Sequence, residues 1–174
     1  MKRTTIGKAM TAAAACLLLS MGAALAVNID PGNVGDKYAW SENGGWMDAK
    51  PGGDTGQGVE VANAKLTGFI WSENFGWISL SCQNTDACGT SSYGVFNDGL
   101  GNLSGYAWGE NVGWINFSPK GGGVVINSIT GEFSGSAWGE NVGWIKFAAI
   151  APVAFRVKTS WILEPAACFI RLIY

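Results

Sequence analysis

The stretch at residues 136–147 reads SAWGENVGWIKF and places two tryptophans six residues apart around a Gly-Glu-Asn-Val-Gly run. Three similar cores precede it: YAWSENGGWMDA at 38–49, FIWSENFGWISL at 69–80 and YAWGENVGWINF at 106–117. Eight of the nine tryptophans of the 174-residue chain lie in these four cores. Repetition at this spacing indicates a tandem-repeat architecture in which each copy is one supersecondary unit.

The copies are not evenly spaced. The intervals between their first tryptophans are 31, 37 and 30 residues, measured along Trp40, Trp71, Trp108 and Trp138. The long interval contains residues 81–92, which we interpret as an inserted loop. In an exported protein, two cysteines with five residues between them are typical of a local disulfide. We therefore predict that Cys82 pairs with Cys88, which leaves Cys168 free or intermolecular.

Each unit is predicted to contain three strands. Short β-branched or aromatic runs at 58–62, 93–96 and 123–126 are each followed by a turn and then by Leu-Thr-Gly, Leu-Ser-Gly or Phe-Ser-Gly. No long apolar pattern has helical spacing, and glycine interrupts every segment. The chain is therefore predicted to be all-β. We expect an antiparallel array of four roughly three-stranded units, propeller-like or barrel-like, with a β-solenoid as the alternative.

The Glu-Asn-x-Gly segment of each core is interpreted as a hairpin loop. Glycine follows at the position where a left-handed residue is needed, at Gly45, Gly76, Gly113 and Gly143. We favour a four-residue loop, which places Trp108 opposite Ile115 in the core, on one face with Tyr106 and Phe117. The second tryptophan then lies on the other face, near small residues. A three-residue loop would instead make the two tryptophans a direct cross-strand pair on one face.

The N-terminus has the order of a secretory signal peptide. Basic residues at positions 2, 3 and 8 precede an apolar run at 12–19 and the small-residue site Ala-Leu-Ala at 24–26. We predict cleavage after Ala26. An uncleaved anchor and lipoprotein processing at Cys16 are the alternatives.

The rest of the chain is predicted to be a single Trp-rich repeat domain at 27–161. Its last part, 151–161, is predicted to be a strand that pairs with the first copy and closes the array. The final residues, 162–174, form an apolar stretch too short to span a bilayer, which we interpret as an irregular tail. No stable membrane span is therefore expected after signal cleavage.

Charge and composition exclude several classes of function. Without the leader the chain has eight basic and thirteen acidic residues, a balance that argues against nucleic acid and against an anionic membrane surface. The chain contains no histidine, which excludes Ser-His-Asp, Cys-His and histidine-containing zinc sites. Asp54 and Asp98 lie in glycine-rich loops but lack the ligand spacing of calcium sites. No metal or cofactor is predicted.

The stretch LSGYAWGENVGWINF at 103–117 resembles a broad group of bacterial secreted proteins that carry tandem copies of this Trp-rich unit. The resemblance covers about 38–161, including the two central cysteines and the closing VAFRVKTSW. It implies an exported repeat protein of Gram-negative or related bacteria, extracellular or at the cell surface, with the periplasm as a further possibility. It brings no catalytic activity with it.

Two sets of repeated residues are candidates for a site. The loop glutamates are Glu42, Glu73, Glu110 and Glu140. A glycosidase pair needs carboxyl groups in unlike environments, whereas equivalent repeat positions give like ones, so we interpret these glutamates as solvated turn residues. The first tryptophan of each copy is predicted to fill the core. The second is a candidate surface platform for sugar faces, at Trp46, Trp77, Trp114 and Trp144.

The sequence thus predicts no enzyme. We expect an exported structural or adhesive repeat protein of the bacterial envelope or extracellular matrix, whose partners would be polysaccharide or other envelope components. The alternative is a carbohydrate-binding module that uses the second tryptophans and the loop glutamates. A hydrolase acting on polysaccharide is the third hypothesis.

Overall fold

A computed structural model describes residues 28–163, so the predicted signal peptide, Cys16, Cys168 and the tail from residue 164 onward lie outside the described residues. Within that range the regular structure is strand apart from two short 3₁₀ helices, Gly53–Thr55 and Cys82–Thr85. The range contains no helix that could span a membrane. The strands are β1 Tyr38–Ser41, β2 Gly45–Asp48, β3 Glu60–Val61, β4 Lys65–Thr67, β5 Phe69–Ser72, β6 Gly76–Ser79, β7 Val95–Asn97, β8 Leu103–Gly109, β9 Gly113–Asn116, β10 Gly123–Ile126, β11 Phe133–Gly139, β12 Gly143–Lys146, β13 Ala148–Ala149 and β14 Phe155–Arg156.

Four hairpins, one per copy, form a closed eight-stranded antiparallel barrel. They are β1–β2, β5–β6, β8–β9 and β11–β12, and each pairs with the next one along the chain. The last hairpin returns to the first, where Trp40 lies opposite Lys146. Because closure pairs both edges of every hairpin, the barrel has no free edge strand. The all-β, barrel-like prediction is confirmed, and the chain does not form a solenoid.

The three-stranded unit is also confirmed. In the third copy it is β7–β8–β9 and in the fourth β10–β11–β12. The middle strand is seven residues long and changes partner at a glycine with positive φ, Gly105 at 83° or Gly135 at 78°. A side chain at Gly105 would collide with the carbonyl oxygen of Gly94. The recurring glycine after Leu-Thr, Leu-Ser or Phe-Ser is therefore needed for close backbone approach.

The first copy takes its outer strand from the end of the chain. Val157 bridges to Lys37, and its backbone N–H donates to the carbonyl of Phe147 at 2.9 Å. In the third copy the backbone N–H of Val95 makes the equivalent hydrogen bond, to the carbonyl of Leu80 just after the second hairpin. The predicted strand at 151–161 is therefore only partly present. It reaches the first copy through isolated bridges, and its regular part, Phe155–Arg156, pairs with β13. The β12–β1 pairing, not this segment, closes the barrel.

The inserted loop after the second hairpin is closed by a disulfide between Cys82 and Cys88, whose Cα atoms are 4.8 Å apart. The loop is also tied to the sheet, because the Asn84 side chain donates to the carbonyl of Gly68 at 2.6 Å. The predicted pairing of these two cysteines is confirmed.

Apolar side chains fill the barrel. The inward positions of the four hairpins are at most 5% exposed and form four cross-strand pairs: Ala39 with Met47, Ile70 with Ile78, Ala107 with Ile115 and Ala137 with Ile145. Three phenylalanines extend this core, with ring centroids 5.7 Å apart for Phe117 and Phe147 and 5.8 Å for Phe133 and Phe147. The ninth tryptophan, Trp161, is also buried, and its indole N–H donates to Asn63 at 2.7 Å.

The favoured four-residue loop is wrong. Trp108 lies opposite Trp114 and Gly109 opposite Gly113, so the loop has three residues, and the other copies share this register. Gly113 does adopt a positive φ, 73°, as predicted. We expected Gly113 to be the last loop residue, but it pairs with Gly109 and belongs to strand β9. A left-handed glycine can form a bulge inside the ladder, so its presence does not lengthen the loop.

The register moves the first tryptophans out of the core. Side chains alternate along a strand, so a shift of one residue exchanges the faces. Trp40 and Trp138 are 37% and 38% exposed, and Trp71 and Trp108 are half-buried on the same outer face. The prediction that these four residues fill the core is therefore wrong. The predicted grouping of Tyr106 with Phe117 is also wrong, because Tyr106 is exposed and Phe117 is buried.

A ring of asparagines closes one end of the barrel. In each loop the asparagine side chain donates to a backbone carbonyl of the neighbouring loop. The bonds are Asn74 to Gly44 at 3.0 Å, Asn111 to Phe75 at 3.0 Å, Asn141 to Val112 at 3.2 Å and Asn43 to Asn141 at 3.4 Å. The ring joins all four copies, so these asparagines act between hairpins and not only within their own loops.

The residue after each asparagine plugs the same end. Val112 and Val142 are buried, and Phe75 packs partly buried against the core. The fourth position is Gly44, where any side chain would overlap the Phe75 ring. One large ring thus fills the space that two copies would otherwise fill with two smaller side chains.

We expect Gly44→Val to lower the free energy of unfolding by about 1–3 kcal/mol, because it overpacks the plug against Phe75. Adding Phe75→Val should recover most of the loss, since valine occupies this position in the third and fourth copies. Urea denaturation measures both effects. Gly89→Val, at an exposed glycine with open space around it, is the control. If the double variant is no more stable than Gly44→Val, Phe75 is not the obstacle.

We expect Asn141→Ala to lower the free energy of unfolding by about 1 kcal/mol, because the carbonyl of Val112 loses its side-chain donor. Glu140→Ala changes the adjacent exposed residue and should stay within about 0.5 kcal/mol of the parent. Equal effects of the two substitutions in urea denaturation would show that the asparagine ring does not stabilise the barrel.

Candidate functional site

Each hairpin carries a tryptophan pair on the outer face of the barrel. The ring centroids are 5.0, 4.8, 4.6 and 5.1 Å apart in the four copies, with interplanar angles of 54–77°. Tilted and edge-to-face contacts of this kind are the favoured aromatic geometries. A third ring flanks the second tryptophan in three copies, at Tyr38, Phe69 and Tyr106, and Ser136 takes this place in the fourth.

The second tryptophans differ in exposure. Trp46, Trp77 and Trp114 are 44%, 46% and 45% exposed, which makes them the most accessible indoles of their hairpins. Trp144 is half-buried because the loop at 119–122 lies against it, so closely that a side chain at Gly122 would overlap its ring. Three of the four candidate platform residues are therefore open, and the fourth is partly covered.

Sequence reasoning missed the residues that stand beside these tryptophans. Phe155 meets Trp46 edge-on at 5.2 Å, and Tyr93 meets Trp114 at 5.4 Å. Each lies two residues before a buried valine, Val157 or Val95, whose backbone N–H donates to a carbonyl at the end of the preceding core. Alignment of the four outer strands would have revealed this position, which is Gln57 in the second copy and Gly122 in the fourth.

A cleft of about 1320 Å³ lies between the outer face of the first hairpin and the β13–β14 hairpin. One wall is aromatic, with Tyr38, Trp40 and Trp46 on the barrel and Trp71 from the next hairpin. Phe155 also lines the cleft, where its ring packs edge-on against Trp46. The volume of the cleft exceeds the roughly 300–1,000 Å³ of ordinary small-molecule pockets, so the cleft suits an extended ligand better than a small one.

Carboxylates line the same cleft. Asp36 accepts a hydrogen bond from Arg156 at 2.9 Å, and Glu132 lies 3.5 Å from the same guanidinium. At the rim, Lys37 pairs with Asp48 at 2.8 Å. Burial opposes the charge of Lys37, but the hydrogen bond and charge of Asp48 outweigh it and raise the lysine pKa. Lys37 therefore stays ionised at neutral pH.

The four loop glutamates lie at the barrel end that the asparagine ring closes, and all are exposed. The Glu42 carboxylate accepts a hydrogen bond from the backbone N–H of Trp144 at 3.3 Å. Glu73 lines the cleft. The structure thus places one candidate glutamate, Glu73, and one candidate platform, Trp46, in a common site.

The two aspartates weighed for calcium have turn roles. Asp98 accepts a hydrogen bond from the Asn102 side chain and others from the backbone N–H groups of Leu100 and Asn102. The Asn102 side chain and these backbone donors lower the Asp98 pKa. Asp54 pairs with Lys50 at 2.6 Å. Within residues 28–163 no three acidic or cysteine side chains are grouped closely enough to hold a metal ion.

Comparisons of this chain with protein-family models, curated proteins and solved structures found no match.

We expect iodide to quench most of the tryptophan fluorescence of the folded protein, because eight indoles lie on the outer face. A small unquenchable fraction should come from Trp161, which is 8% exposed, and should disappear in Trp161→Phe. Stern–Volmer titration measures both fractions, with the protein in guanidinium as the fully accessible control. If iodide leaves most of the emission of the folded protein unquenched, the exposed outer face is contradicted.

Proposed function

We propose that this chain is an exported, non-catalytic adhesive protein of the bacterial envelope or extracellular matrix, and that its repeated tryptophan pairs bind polysaccharide. The observation that carries the proposal is the outward position of both tryptophans in every copy. Trp46, Trp77 and Trp114 each remain nearly half exposed.

Exposed indoles at these positions are not needed to fill the barrel, whose interior is packed by other side chains. Contiguous exposed apolar surface on a folded protein is typical of an interaction site. The axial C–H faces of sugar rings pack on aromatic faces, and the sugar hydroxyls can still reach water or nearby polar groups. Several such platforms on one barrel would raise the avidity for a polymer.

Two further observations support this proposal. The disulfide between Cys82 and Cys88 is typical of an oxidising compartment and agrees with the predicted leader. The loop glutamates occupy equivalent exposed positions, whereas a glycosidase needs two carboxyl groups in unlike environments. Binding therefore fits the repeated arrangement better than catalysis.

A purely structural role for the tryptophans is the second candidate. The pairs pack at 4.6–5.1 Å, and such contacts contribute about 0.5–1.5 kcal/mol beyond burial. In that case the pairs would hold the hairpins in register and bind nothing. Stability and binding must therefore be measured on the same variants.

We expect the protein to sediment with at least one polysaccharide from a set of cellulose, chitosan and pectate. Trp77→Ala and Trp114→Ala should each weaken binding about twofold to tenfold, because each removes an accessible platform. Trp144→Ala is the matched control, since the 119–122 loop already covers part of that indole. Circular dichroism must show that every variant is folded.

Two outcomes would contradict the proposal. The first is a folded parent protein that binds none of the polysaccharides. The second is unchanged binding in the folded Trp77→Ala and Trp114→Ala variants, which would assign the tryptophan pairs to stability alone.

A further inference from the structure

We propose that the cleft between the first hairpin and β13–β14 is one of these binding sites and that it selects a polysaccharide that carries protonated amino groups. This inference rests on the proposed function and deepens it by assigning one site and one ligand class. It is carried by the aromatic wall of the cleft, its size and its charge.

The aromatic wall offers more surface here than at the other hairpins. Tyr38, Trp40 and Trp46 are 36%, 37% and 44% exposed, and Phe155 packs edge-on against Trp46 and extends this aromatic surface. Trp114 also has an aromatic neighbour, Tyr93. A chain of sugars can therefore lie along one continuous aromatic surface.

The size of the cleft favours a polymer. A volume of about 1320 Å³ leaves room for several sugar units. The cleft is open to solvent at the loop end of the barrel, where Glu73 and Asn74 lie. An extended chain can thus enter without a rearrangement of the barrel.

The charge of the cleft selects among polymers. Four carboxylates and one guanidinium line it: Asp36, Asp48, Glu73, Glu132 and Arg156. Asp36 and Glu132 share Arg156, and Asp48 has Lys37. Among residues 28–163, no cationic side chain lies within ion-pair distance of Glu73. An ammonium group of the ligand can pair with this carboxylate, and the aromatic faces also attract cations. An acidic polymer would be repelled.

The sequence of β14 makes this copy different. Arg156 occupies the position of a glycine in the other three copies, Gly58, Gly94 and Gly123. Its guanidinium holds Asp36 and Glu132 together on one side of the cleft. The neighbouring Phe155 packs edge-on against Trp46 and adds to the aromatic surface.

The test compares two matched soluble probes, a glucosamine oligomer and an N-acetylglucosamine oligomer of the same length. Calorimetry at a pH where the amines are protonated should show tighter binding of the cationic oligomer, by about threefold to fivefold. Raising the salt concentration should remove most of this preference, because the carboxylate is exposed and its charge is screened.

Variants locate the site. Glu73→Gln should abolish the preference for the cationic oligomer, whereas Glu110→Gln, at the same loop position of the third copy, should preserve it. Phe155→Ala should weaken binding of both oligomers, and Tyr93→Ala should not. The parent and all variants are checked for folding by circular dichroism.

The outcomes separate this inference from the proposed function. Equal affinity for both oligomers, or equal effects of Glu73→Gln and Glu110→Gln, would overturn the cleft assignment while polysaccharide binding remains. Tighter binding of an acidic oligomer than of the cationic one would overturn the ligand class. If the folded parent protein binds no polysaccharide of any charge, the proposed function fails as well.

Discussion

The fold depends on the backbone geometry at one glycine of each hairpin. Gly45, Gly76, Gly113 and Gly143 have φ of 68–78° and yet belong to the ladder, opposite the residue that precedes the loop. The pairing register decides which side chains point inward. Small residues such as Ala39 and Ala107 then face the interior opposite larger ones, and every tryptophan pair lies outside. A slip of one residue would put eight indoles into a barrel too narrow to hold them.

The loops then join the four hairpins into one structure. Each loop asparagine donates to the neighbouring loop, and the next residue packs against its equivalents in the plug. A residue in one copy is therefore constrained by the copy beside it. Gly44 and Phe75 illustrate this, because the missing side chain in one loop makes room for the large ring of the next. The four copies therefore form one cooperative structure, in which a substitution in one loop affects the loop beside it.

The four copies differ mainly in the residue that lies next to the second tryptophan. Tyr93, Gly122 and Phe155 occupy the same position of the unit. Tyr93 leaves Trp114 open, whereas the loop that contains Gly122 lies over Trp144. Phe155 packs against Trp46 and lines the cleft. Differences of a few residues thus give a nearly symmetric barrel one distinctive face. Functional asymmetry of this kind needs no change in the hairpins themselves.

The sequence by itself determined the features that depend on local chemistry. The all-β class, the three-stranded unit, the left-handed glycines and the Cys82–Cys88 disulfide follow from spacing and residue type. It also pointed to Trp46, Trp77 and Trp114 as accessible residues. The loop length was not determined locally, because a left-handed glycine is compatible with both registers. Packing between hairpins selects one of them, through the asparagine ring and the burial of Val112 and Val142. The cleft was decided by tertiary structure alone, since it brings Phe155 within 5.2 Å of Trp46, more than a hundred residues earlier in the chain.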